Sequence, residues 1–317
     1  MAFKYGIKLP GKNKKIWIKE ITSKLYRDLV KSLYNNDTTE FLQHLSYIIE
    51  YVYPGIIQED LNVVDKVLIL LHTRGICINP DLKLKAKCPK TTKEFECTVR
   101  IEDLISRLEN IDYTRVITYE NIQITHTVVK VKDELQFIDI TEEKFFSAQL
   151  ASSIDNIKVD KDVLFFKELT FEERLDVIER LPLVLAAKIY ESIDAVESNL
   201  SQIKLLTVKS PFTGEYIVDL PVSTNVKILL EFCKLIFNDD LGNLYRITFN
   251  LVNKGNFTPE YVEQITPAEQ LLYWNYLVQQ SQKEQEAYDS AQKGNNSSTP
   301  NYGGQPLGKE LPSEFTG

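Results

Sequence analysis

KCPKTTKEFEC, residues 87–97, decides how this chain is read, because it holds two of the four cysteines in a Lys/Thr-rich turn. Three readings are open: a metal knuckle, a disulfide loop or a β-hairpin. Leu82, Leu84 and Ala86 alternate with lysines before the stretch, and Phe95, Cys97 and Val99 alternate with polar residues at its far end and beyond. That period of two belongs to a half-buried strand. A zinc knuckle presents paired thiolates close together, but Cys88 has no second thiol two or three residues on, and Cys97 falls on the returning strand. The spacing of Cys77, Cys88, Cys97 and Cys233 is too wide and irregular for a disulfide framework. A similar stretch, KSPFTGEY at 209–216, has Ser210 where Cys88 stands. The sequence therefore predicts a hairpin carrying reduced thiols, with a zinc-binding protein as the alternative.

Composition sets the outer bounds. The chain has 317 residues, 43% hydrophobic and 26% charged, which is ordinary globular usage and enough for one large or two medium domains. A net charge of −8 provides no global basic field for nucleic acid or an anionic membrane. The densest basic run, Lys8 to Lys19, reads as a solvated turn joining two strands. The start MAFKYGIKLPG lacks the apolar segment of a signal peptide, and no stretch approaches the roughly 18 apolar residues of a membrane span. A cytosolic protein is expected.

The periodicities predict an α+β fold. Strands are expected at 3–9 and 15–21, then a helix capped by Thr22 or Ser23, and two more, TTEFLQHLSYIIEYV and DLNVVDKVLILLHTRG, the second apolar on most sides and stopping at Gly75. The hairpin follows, then a short helix and two or three strands with a turn at Asp133-Glu134. Thr170 and Glu173 form a capping box, and LVLAAKIYESIDAVESNL places Leu185, Ile189, Ile193, Val196 and Leu200 on one face. A strand from Ile203 leads into the second hairpin, and a helix capped by Ser223 or Thr224 follows it. Helix pair, hairpin with x-Pro-x-Thr at its turn, and helix occur in both halves, which reads as an internal duplication into two related lobes. The predicted divisions are 1–168, an N-terminal α+β lobe; 169–292, a mainly helical C-terminal lobe with a β-hairpin; and 293–317, a Gly/Asn/Ser/Pro tail with little to bury.

Catalytic motifs are scarce. There is no G-x-S-x-G elbow, no phosphate-binding glycine loop and no H-E-x-x-H pair. His44 and His72 fall in helical patterns, where they read as face or surface histidines or as a pair, and His126 falls in a strand. Glu142-Glu143 and Glu172-Glu173 sit where helices begin, as the helix dipole favours; Asp239-Asp240 reads as a turn. Thr266 and Pro267 open a last helix whose LLYWNYL stretch carries an aromatic stripe, suited to core packing or to a partner.

The order of these segments resembles a known family. IKLPGKNKKIWIKEITSKLYRDLVKSL at 7–33, FLQHLSYIIEYV at 41–52, LNVVDKVLILLHTRGICI at 61–78, ELTFEERLDVIERLP at 168–182 and FTPEYVEQITPAEQLLYWNYL at 257–277 together resemble the T4-type bacteriophage baseplate proteins, the hub-assembly proteins of contractile-tailed phages. The resemblance implies a non-enzymatic assembly factor or chaperone for the central hub and tape-measure proteins, acting in the cytoplasm of the infected bacterium. A structural baseplate component retained in the virion is the alternative. The resemblance brings no catalytic residue; no cofactor, no metal and, from the charge, no nucleic-acid or membrane partner is expected, and the oligomeric state stays open. An assembly factor grips other polypeptides through apolar and aromatic surface. Tyr273, Trp274 and Tyr276, with Lys90 and Phe212 at the hairpin tips, are the expected contacts.

Overall fold

Thr22, Asp37, Asn62, Thr170, Asn225, Asp240 and Thr258 each stand just before a helix and accept, through a side-chain oxygen, an amide of its first turn. Each such cap contributes about 1 kcal/mol relative to alanine, so local chemistry sets where most helices of this chain begin. The computed structural model describes residues 4–295, except 13, 55–60, 89, 213, 221 and 224.

The chain opens with β1 (Lys4–Leu9) and β2 (Lys14–Lys19), then α1 (Ser23–Tyr34), α2 (Thr38–Val52) and α3 (Val63–Cys77). The hairpin β3 (Asp81–Lys87) and β4 (Glu94–Arg100) leads into α4 (Ile101–Leu108). Next come β5 (Arg115–Tyr119), β6 (Ile122–His126), α5 (Glu142–Ser153), β7 (Ile154–Val159) and β8 (Asp162–Phe165). After α6 (Phe171–Glu179) and α7 (Leu183–Lys204), β9 (Leu205–Ser210) and β10 (Gly214–Asp219) precede α8 (Val226–Ile236), α9 (Leu241–Asn253), α10 (Pro259–Gln264) and α11 (Pro267–Asn295). Among the described residues the strands make three separate hairpins and one four-stranded antiparallel sheet in the order β5-β6-β7-β8. The fold is α+β, as the alternating periods predict.

The chain divides into two units, 1–271 and 272–317. The first holds two apolar cores. One gathers Ile7, Ile16, Leu29, Leu45, Leu68 and Leu84 with Val196, Leu200, Phe232 and Ile236. The other gathers Ile124, Leu150, Ile157 and Phe166 with Leu185, Ile189 and Ile193. The predicted stripe of α7 thus serves both: its first turns enter one core and its last turns the other, because spacings of three and four keep all five residues on one side of the helix. Helix α3 is buried around almost its whole circumference, as its composition predicts, and it takes Asp65, Lys66 and Arg74 inside with it.

Several boundaries differ from the sequence reading. Helix α3 continues through Gly75 to Cys77: Gly75 lies close to α4, where a Cβ would sit 3.6 Å from Ile101 Cγ2, and packing there outweighs the ~1 kcal/mol helix penalty of glycine. Asp133-Glu134 is not a turn between strands. It lies in a 3-10 segment, Val131–Phe137, with both side chains buried. Helix α7 runs to Lys204, past the expected strand start at Ile203. Asn225, not Ser223 or Thr224, caps α8; Asp239-Asp240 lies at the junction between α8 and α9, as expected, and there Asp240 also caps α9. The last helix ends at Asn295, beyond the expected Gln292, and the expected tail lies outside the described residues from 296 on.

The second unit begins inside α11, which runs unbroken from Pro267 to Asn295 behind a Thr266/Glu269 capping box. From Gln279 to Ala291 it is exposed throughout, matching its polar sequence.

Candidate interaction surfaces

The β3-β4 hairpin closes through backbone. Cys88 N–H donates to the Lys93 carbonyl at 2.9 Å, and Thr92 N–H, from a residue at φ 56°, donates to the Cys88 carbonyl at 2.8 Å. The Cys88 thiol points inward and is buried, as are Cys77, Cys97 and Cys233. Burial pushes the Cys77 and Cys233 thiols up to about 12 and raises Cys97 as well, so all three stay protonated. Among the described residues no group of three or more His, Cys, Asp or Glu is arranged to hold a metal ion.

The second hairpin packs beside the first, with β9 along β4. At their tips Phe212 meets Phe95 edge to face, ring centroids 6.4 Å apart at 82°, and Lys93 Nζ lies 5.5 Å from the Phe212 ring. Lys90 is exposed at the tip of the first hairpin and Phe212 is 43% exposed on the second. Two predicted contact residues more than a hundred positions apart thus come from neighbouring hairpins. The outer face of β3-β4 is a charge ladder, with Lys85 opposite Glu96, Lys87 opposite Glu94 and Asp81 opposite Arg100.

Tyr273, Trp274 and Tyr276 lie on α11 within the second unit. Helical geometry puts Tyr273, Trp274, Leu277 and Val278 on one arc, and all four are half-buried. Tyr276 projects away from that arc and is 58% exposed. The stripe is therefore two surfaces, which a count of aromatics does not reveal. Further exposed aromatics were not singled out by the sequence: Trp17 at 55%, with Lys15 Nζ 5.2 Å from its ring, and Phe249 at 65%.

The titratable groups inside the fold are held by built-in partners. Arg174 donates to both carboxylate oxygens of Asp133, Nη1 to Oδ2 at 2.6 Å and Nη2 to Oδ1 at 2.7 Å, and Ser152 Oγ donates to Oδ2 at 2.6 Å. Next to it Lys66 pairs with Glu134, and Lys130 Nζ reaches Asp155 at 2.8 Å. Elsewhere Arg74 forks onto Asp239 at 2.9 and 3.3 Å, and the Tyr26 hydroxyl donates to the same carboxylate. Burial, with the Asp239 charge behind it, raises Tyr26 well above its ordinary value and keeps the hydroxyl protonated. The sequence marked Asp239 only as a turn residue; the signal available was Arg74 in a helix whose apolar residues face most sides.

His44 and His72, candidates for a pair, each take a carboxylate instead: His44 Nε2 lies 3.7 Å from Glu40, and His72 Nε2 3.2 Å from Glu109 on the turn after α4. Burial lowers His72, opposed by its bond to Glu109, and burial lowers His126, whose Nε2 meets Ser192 Oγ at 2.9 Å.

Exposed aromatics thus stand at the hairpin tips, on α9 and on α11, and among the described residues no helix is long and apolar enough to cross a membrane. The class of the protein comes from its family: the model described as T4 bacteriophage base plate protein matches residues 2–216. The match spans most of the chain, and the chain belongs to that family. No curated protein and no solved structure gives a significant match.

Proposed function

We propose that this baseplate-family protein works as a non-enzymatic assembly factor for the phage tail, a chaperone that holds hub and tape-measure proteins while they come together in the infected cell's cytoplasm. The observation that supports it is the pair of adjacent hairpin tips: Phe212 is held half-exposed by Phe95 and Lys93, with Lys90 on the neighbouring turn. An aromatic side chain preset against a rigid platform loses little entropy on binding, and such residues anchor interfaces. The exposed Tyr276 of α11 provides a second contact. Family membership supports a setting among phage structural proteins.

The test is co-purification from infected cells, with mass spectrometry of finished particles alongside. Recovery of hub or tape-measure protein with the wild-type chain, lost with Phe212→Ala, and absence of the chain from particles are the expected results. Stoichiometric presence in particles would overturn the chaperone role in favour of a retained baseplate component.

A further inference from the structure

The outer face of the β1-β2 hairpin sets like charges side by side. Its register pairs Lys8 with Lys15, Gly6 with Trp17 and Lys4 with Lys19, all on the side opposite the buried Ile7, Ile16 and Ile18. Like charges directly opposite destabilise a pair. On β3-β4, by contrast, charged residues that face each other carry opposite signs, Lys85 with Glu96, Lys87 with Glu94 and Asp81 with Arg100. Lys8 and Lys15 are both exposed, and among the described residues neither takes part in an ion pair. Glu20, the first acid of the chain, is engaged by Tyr5, whose hydroxyl donates to it at 2.7 Å. Lys19 Nζ lies 3.7 Å from the Tyr51 ring.

Between the two lysine pairs lies an aromatic platform. Glycine at position 6 leaves room for it, since a Cβ there would fall 3.3 Å from Trp17 Cζ3 and 2.5 Å from Lys15 Cε. The indole and the lysine stem therefore lie across the neighbouring strand, with Lys15 Nζ 5.2 Å from the ring. Trp17 is still 55% exposed. A large ring already held by its own hairpin loses little freedom when a partner covers it. Uncompensated positive charge stands two residues from this apolar surface, about 7 Å along the strand.

The rest of the chain decides which anion fits. Six lysines and no acid fall in residues 1–19, so the remainder carries −14 against −8 for the whole chain. A nucleic-acid strand or an anionic bilayer extends its charge beyond a hairpin of six-residue strands and onto that acidic body. A second copy brings another body of net charge −8. A short acidic segment places its charge on the lysines alone.

We propose that the outer face of β1-β2 docks a short acidic segment of a partner polypeptide, in which carboxylates stand two positions from an apolar residue. The carboxylates meet Lys8 and Lys15, and the apolar side chain lies on Trp17. This surface is distinct from the β3-β4 and β9-β10 tips, and the inference does not rest on the chaperone reading.

The test uses the full chain at physiological salt, with a capped peptide Glu-Glu-Ser-Phe-Ser-Glu-Glu and its Gln-for-Glu counterpart as probes. The acidic peptide is expected to bind and to change Trp17 fluorescence, a change absent from Trp17→Phe. Its affinity is expected to fall about fivefold in Lys15→Glu, the scale of an exposed ion pair changing sign. The same substitution turns the pair with Lys8 into opposite charges, so its melting temperature is expected to be no lower than wild type. Equal binding of the two peptides, or unchanged affinity in Lys15→Glu, overturns the proposal. A lower melting temperature of Lys15→Glu also overturns it, because Lys15 then has a counter-charge within the fold. Tighter binding of single-stranded oligothymidylate or of phosphatidylglycerol vesicles than of the acidic peptide, lost in Lys15→Glu, overturns the choice of a polypeptide. Self-association lost in Lys15→Glu makes the occupant a second copy and overturns it likewise.

Discussion

Asp133 and Arg174 meet in the interior with a two-bond fork, 41 residues apart in the chain and with side chains only 4% and 3% accessible. Asp133 lies on the 3-10 segment Val131–Phe137 and Arg174 on α6, and Ser152 of α5 completes the carboxylate's partners. The carboxylate thus joins three elements, and α5 also packs directly against α6 and against the 3-10 segment.

Removing one member leaves a buried charge without its counter-ion. Asp133→Ala is expected to destabilise the protein by about 3–5 kcal/mol, whereas the double change Asp133→Leu with Arg174→Met costs much less, since it removes both desolvated charges together. Urea unfolding midpoints of the two variants check this, and equal losses would contradict it.

The buried histidine makes stability depend on pH. His126 has its folded pKa below the ordinary value of 6.5 because burial disfavours the imidazolium. Between the two values the unfolded chain binds the extra proton, so stability is complete above about pH 6.5 and falls as the pH drops toward the lower folded value. His72 shifts in the same direction. Melting temperature recorded from pH 8 to 5 is expected to decline, and His126→Gln is expected to flatten part of that decline.

The thiols give a folding-sensitive readout. With Cys77 and Cys233 pushed up to about 12 by burial, neither supplies thiolate near neutral pH. Alkylation by iodoacetamide at pH 8 is expected to leave both unmodified in the native protein and to label them rapidly in denaturant, as intact-mass measurement shows.

At the proposed contact surface, stability and binding separate. Tyr276→Ala, at an exposed helix position, is expected to change stability by less than about 0.5 kcal/mol. Phe212→Ala removes one edge-to-face aromatic pair, about 0.5–1.5 kcal/mol. Both are expected to reduce capture of phage partners severalfold, as quantified by pull-down from infected-cell lysate.

Much of the local structure was legible. Thr170 with Glu173, Thr266 with Glu269, and Pro259 and Pro267 at first helical positions marked helix starts where the chain makes them, because capping joins residues three apart. The alternation around KCPKTTKEFEC predicted β3 and β4 within a residue or two. Boundaries misread from sequence, Gly75 in α3 and Asp133-Glu134 in the 3-10 segment, are places where a distant element outweighs a local preference.

Sequence alone determined the class of fold, the caps at Thr170, Thr258 and Thr266, the hairpin nature of residues 87–97 and the family, all of which depend on neighbours within a few positions or on the order of segments. Only the tertiary structure decided that the two hairpins stand side by side, that Tyr276 turns away from Trp274's face, that α7 feeds two cores and that β8 is the open edge of its sheet. Those outcomes depend on which distant surfaces exclude water together, and chain periodicity records which face of an element is apolar, not what it meets.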